Sequence, residues 1–130
     1  MGLNREPTAR NDLYQNVQYL RKNIAFGQAG QVVVVGRIPA GAIILKPLSG
    51  INVQTVTNAG TNNQIDIGTS ADDDLYGTNL ATGTAGFVPL DENVGYRVAA
   101  DTTITATLDL TGTAATTGDV DVIIAFVTPN

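Results

Sequence analysis

Residues 102–110 read TTITATLDL, and no other stretch constrains the fold as tightly. Ile104, Ala106, Leu108 and Leu110 alternate with Thr103, Thr105, Thr107 and Asp109. Successive side chains of a strand point to opposite faces, so a strict two-residue period gives one apolar and one polar face. On a helix the same spacing would scatter the apolar residues around the axis. The period recurs along most of the chain. "QVVVVGRI", "AIILKPL", "GINVQTV", "QIDIG", "AGFVPL", "YRVAA" and "VDVIIAFV" all read as strands. Turn-forming clusters separate them, among them Pro39–Gly41, Asn58–Asn63 and "TGTAATTGD". Thr69–Gly83 reads as a long polar loop.

About eight strands at this rhythm predict an all-β chain, a single β-sandwich domain with jelly-roll and Ig-like topologies both open. With 5% aromatic residues and no Trp, the core has to be built from aliphatic side chains. The predicted inward set is Val33, Val35, Ile51, Val53, Ile65, Ile67, Ile104, Leu108, Val122, Ile124 and Phe126. Ile123, Ala125 and Val127 make the last strand apolar on its other face too. Such a strand is central and covered, or it lies in an interface.

The first 26 residues have a different texture. Arg5, Arg10, Arg21 and Lys22 stand against Glu6 and Asp12, a balance of +2. Residues 27–130 carry Arg37, Lys46 and Arg97 against the other ten acids, a balance of −7 within the total of −5. Residues 1–26 are therefore set apart as an N-terminal arm that includes, in "NVQYLRKNIAF", a possible first strand, and 27–130 as the sandwich. Arg and Tyr are enriched among interface anchors. Arg5, Arg10, Tyr14, Tyr19, Arg21 and Lys22 are accordingly the candidate interaction residues, and a solvated chain end is the plainer alternative.

Histidine and cysteine are absent. This removes Ser-His and Cys-His nucleophiles, thiolate metal sites and disulfides. No enzyme activity and no cofactor is expected. The three consecutive aspartates Asp72, Asp73 and Asp74 are the one concentrated acidic feature. They fail the calcium-loop pattern, because the twelfth position counted from Asp72 is Gly83 rather than Glu. In an extended backbone Asp73 points away from Asp72 and Asp74, so convergence would need a tight turn. The expectation is a solvated loop, with Asp72 and Asp74 as weak metal candidates. "VVVV" and "AIIL" are too short to cross a bilayer, so no membrane partner is expected. An acidic body makes nucleic acid an unlikely partner.

"RIPAGAIILKPLSGINVQTVTNAGTNNQIDIGTSADDD" (residues 37–74) and "AADTTITATLDLTGTAATTGDVDVIIAFV" (residues 99–127) together resemble small structural proteins of tailed bacteriophages. Within that group the chain is similar to capsid decoration, or cement, proteins of jelly-roll type. The resemblance spans most of residues 31–127 and leaves out the arm. It implies a virion protein made in the host bacterial cytoplasm and carried on the outer capsid surface. Its partners would be the major capsid protein and other copies of itself, a dimer being favoured and a trimer possible. A receptor- or carbohydrate-binding β-sandwich of a head or tail fibre is the alternative.

Overall fold

A computed structural model describes residues 16–128. Nine strands lie in that span: β1 Gln18–Ala25, β2 Val32–Ile38, β3 Ile43–Ile44, β4 Gly50–Thr55, β5 Asn62–Gly68, β6 Gly77–Ala81, β7 Gly86–Pro89, β8 Thr102–Thr111 and β9 Asp119–Val127. They form two antiparallel sheets. One runs β1-β9-β4-β7, with β3 also paired to β9, and the other runs β2-β8-β5-β6. Setting the two-residue β3 aside, β1 and β2, β4 and β5, β6 and β7, and β8 and β9 each straddle the two sheets. That interleaving is the strand order of a jelly-roll-like sandwich.

The alternating residues explain how the layers meet. Ile51 and Val53 of β4, Ile65 and Ile67 of β5, Ile104 and Leu108 of β8, and Val122, Ile124 and Phe126 of β9 are buried in one cluster. Val33 and Val35 of β2 join them. Every residue of the predicted inward set is therefore in the core. β9 is central, with β1 on one side and β3 and β4 end to end on the other. The break between β3 and β4 leaves part of β9 without a strand partner on that side. Ser49 fills it: its hydroxyl accepts from the Ala125 amide at 2.9 Å, while the Leu45 amide bonds the Ala125 carbonyl at 2.8 Å. Both Ser49 and Ala125 are buried. The apolar second face of β9 thus has a partly internal explanation, because Ala125 is covered by its own chain.

Three local expectations change. The polar loop Thr69–Gly83 contains β6, which pairs with β5 at Gln64↔Ala81, Ile65↔Leu80 and Ile67↔Gly77. "AIILKPL" supplies only the two-residue β3 before Pro47 forces a 3-10 turn over Lys46–Leu48. "YRVAA" is no strand; Arg97 makes one isolated bridge to Ile43 while Val98 is buried. The segment set apart as an arm also contains the whole of β1, up to its last residue Ala25. Arg5, Arg10 and Tyr14 lie outside the described residues. No helix among the described residues is long and apolar enough to cross a membrane.

Candidate interaction surface

β1 carries Tyr19 and Arg21 on the outward face of its sheet, because both are in register with the outward residues of β9: Tyr19 with Ala125, Arg21 with Ile123. Lys22 is in register with Val122 and so belongs to the opposite face. The two-residue period that made these three look like one cluster in sequence separates them in space. Tyr19 and Arg21 border an open groove of about 520 Å³ whose other walls are Asn52 of β4, Phe87 of β7, and Asp121 and Ile123 of β9. Tyr19 is 67% exposed and Phe87 47%. The other aromatics of the body are committed elsewhere. Tyr76 is buried with its ring centroid 6.0 Å from that of Tyr96, and Phe126 is in the core.

The polar wall of the groove is built as a network. Asp121 is buried, and its carboxylate accepts from Arg21 at 2.9 Å and from the Asn23 amide at 3.0 Å. Asn23 also donates to Asp119. The hydrogen bond from Asn23, and then the Arg21 guanidinium, hold the Asp121 carboxyl below its ordinary value of 3.8 against the opposing effect of burial. A carboxyl whose folded-state pKa is depressed stabilises the fold above its unfolded pKa and loses that contribution as pH falls through the folded value. The urea midpoint should therefore hold from neutral pH down to about pH 5 and fall below that. Asp121→Asn should flatten this acid limb. An unchanged limb in the variant would remove Asp121 from the account.

On the other sheet, the aspartate run is brought together. The Thr69 amide bonds the Asp72 carbonyl at 2.8 Å, and the Asp72 amide bonds the Thr69 hydroxyl at 3.3 Å. This turn gathers one carboxylate oxygen from each of Asp72, Asp73 and Asp74 within 4.8 Å of one another. Asp72 and Asp73 are exposed and Asp74 half-buried. A side-chain hydrogen bond to Asp74 pushes the Asp72 carboxyl up. Nearby Asp66 is also raised, chiefly by burial, with the charges of Asp73, Asp74 and Asp109 adding to it.

The turn depends on Gly68. A Cβ there would stand 2.2 Å from the Asp72 carbonyl oxygen and 2.6 Å from the Asp73 carbonyl carbon, both backbone atoms that cannot swing aside. Gly68→Ala is expected to cost about 1–3 kcal/mol, the usual range for overpacking. Chemical denaturation measures it; a loss below about 0.5 kcal/mol would mean that the turn yields freely.

No family model matches the sequence, and no curated protein matches it. Two solved structures are similar in fold. A chain of the cyanophage Pam1 capsid asymmetric unit superposes with a TM-score of 0.61 and 21% identity, over 88% of this chain and 86% of that one. A chain of the acid-stable capsid of Helicobacter pylori bacteriophage KHP30 gives a TM-score of 0.64 and 12% identity, over 88% of this chain and 89% of that one. At these identities the likeness is one of fold, shared with a chain from each of two phage capsid structures.

Proposed function

We propose that this chain is a non-enzymatic structural protein of a tailed-phage virion, bound to the outside of the capsid, where it cements capsomers. The observation that carries the reading is the fold likeness across nearly the whole domain to chains of two phage capsids. The groove supports it with a surface suited to docking: two exposed aromatic rings, an arginine held in place by a buried carboxylate, and an aliphatic floor at Ile123. Arg5, Arg10 and Tyr14 precede this surface in sequence and extend the contact to the major capsid protein or to another copy. Lys22, on the opposite face of β1, contributes to contact between copies. Stabilisation follows from mass action, since a ligand of the assembled shell that does not bind free subunits shifts the equilibrium towards assembly.

The same two rings are what favours the second reading, a saccharide site, because an aromatic face beside hydrogen-bonding side chains suits a sugar ring. Co-sedimentation with decoration-stripped capsids separates the two. Wild type should pellet with capsids, and Tyr19→Ala/Phe87→Ala should bind at least about tenfold more weakly, as expected for anchor residues. Raised salt should weaken the ionic part of the contact. No binding to capsids together with hits on a glycan array would reverse the order of the readings.

A further inference from the structure

Among the described residues each sheet is open at both sides, and the two sides of the sandwich differ in chemistry. β1 and β2 end their sheets on the same side, since a Cβ at Gly36 of β2 would lie 2.8 Å from the Leu20 side chain of β1. β7 and β6 end the sheets on the opposite side. The Thr78 amide of β6 donates to the Asp91 carboxylate just past β7 at 2.9 Å, and its hydroxyl donates to the Asp74 carbonyl at 3.3 Å. The Asn79 amide donates to Asp66 at 2.7 Å. These bonds hold the Asp66 and Asp91 carboxylates against β6 and tie the Asp72–Asp74 turn to it through the Asp74 carbonyl, which makes this rim acidic.

The β1–β2 rim is its chemical complement. Val32 and Val34 are 65% and 58% exposed there, an unusual display for adjacent outward positions of one strand. Lys22 of β1 and Arg37 of β2 are exposed on this rim; Arg37 is paired with the exposed Asp101, so the cation left uncompensated is Lys22. The ion pairs among the described residues are Arg21–Asp121 and Arg37–Asp101. Lys22 therefore has no carboxylate partner in that set, and neither does any acid of the opposite rim. The Asp66 carboxyl is raised chiefly by burial and the Asp72 carboxyl by its hydrogen bond to Asp74, and the neighbouring aspartate charges add to both.

We propose that the β1–β2 rim of one copy docks on the β6–β7 rim of a second copy, head to tail. Opposite charge steers and registers such an encounter, and the exposed valines supply apolar area at its centre. A contact between two different patches of the same chain is heterologous, so it propagates into a ring or an open row rather than ending at a two-fold pair. The proposal deepens the self-association within the function proposed above by naming its surfaces. It needs no capsid, so its failure and that of capsid binding are told apart.

Sedimentation velocity on the full chain tests it, with circular dichroism checking that each variant is folded. Wild type should associate at low salt and dissociate as salt rises. Lys22→Glu/Arg37→Glu carries two acidic rims, and Asp72→Lys/Asp73→Lys carries a positively charged turn on the opposite rim. Each variant alone should associate at least about tenfold more weakly than wild type. Mixed in equal amounts, they should associate again, because each now offers the rim that the other lacks. Wild type that is monomeric at every protein and salt concentration overturns the proposal. So do variants that associate as wild type does, or a mixture that stays dissociated.

Discussion

Ile124→Ala is expected to lower the unfolding free energy by about 2–5 kcal/mol, the range for opening a cavity under a packed aliphatic side chain. Ile124 is fully buried at the centre of β9, in register with Leu20 of β1. It lies where both layers contribute to the core, so little of the cavity can collapse. A loss of this size is a large fraction of the stability of an ordinary domain and should lower Tm by roughly 10 °C or more. Chemical denaturation with intact cooperativity gives the value directly. A loss below about 1 kcal/mol would mean that β9 is not a central strand.

Removing residues 1–25 should have an effect as large or larger, and well beyond that of removing residues 1–15, which spares β1. β1 pairs with β9 from Gln18↔Phe126 to Ala25↔Asp119. Ile24 is fully buried, and burying such a side chain is worth about 1.5–3 kcal/mol. The deletion also uncovers one edge of β9 and strips Asp121 of both Arg21 and Asn23, leaving a carboxylate on an exposed apolar strand. Reading residues 1–26 as an arm invites a cut at residue 23, but that cut removes most of β1. A cut that spares β1 falls before Gln18, and capsid-binding tests of the first residues belong there. Equal thermal stability of the two truncations would show that β1 is an accessory strand.

The sandwich was legible wherever one side chain in two was apolar. β8 and β9 announce themselves because both layers bury their aliphatic residues and their turns are marked by Gly and Thr. β6 was not legible. Its only large apolar residue is Leu80, and Asn79 takes a left-handed φ of 53°, which interrupts the alternation. That conformation is tolerable for Asn and is tied down by the bond from its amide to Asp66. β3 was over-read because Pro47 ends it sooner than the apolar run suggests.

The groove was half visible. Composition picks out Tyr19 and Arg21, which are near in sequence. Asn52, Phe87, Asp121 and Ile123 come from three other strands, and only their register brings them to the same face. One signal could have pointed there. Asp121 interrupts the otherwise apolar "VDVIIAFV", and a carboxylate placed in a buried strand requires donors from a neighbouring one. Arg21 and Asn23, spaced two apart in the preceding sequence, were the available pair. The convergence of the three aspartates was hidden because it depends on a turn closed against Gly68, not on the aspartates themselves.

The central place of β9 also fixes the order of events when the chain is made. A ribosome delivers β1, β3 and β4 well before residues 119–127, and none of the three can complete its ladder to β9 until those residues emerge. The Arg21–Asp121 pair closes a span of 100 residues. Contacts this distant in sequence slow the search for the native state to the millisecond-to-second range typical of sandwiches. The nascent chain thus leaves the β9-facing edges of β1, β3 and β4 unpaired until residues 119–127 have been made. In that interval those edges are open to pairing with other chains.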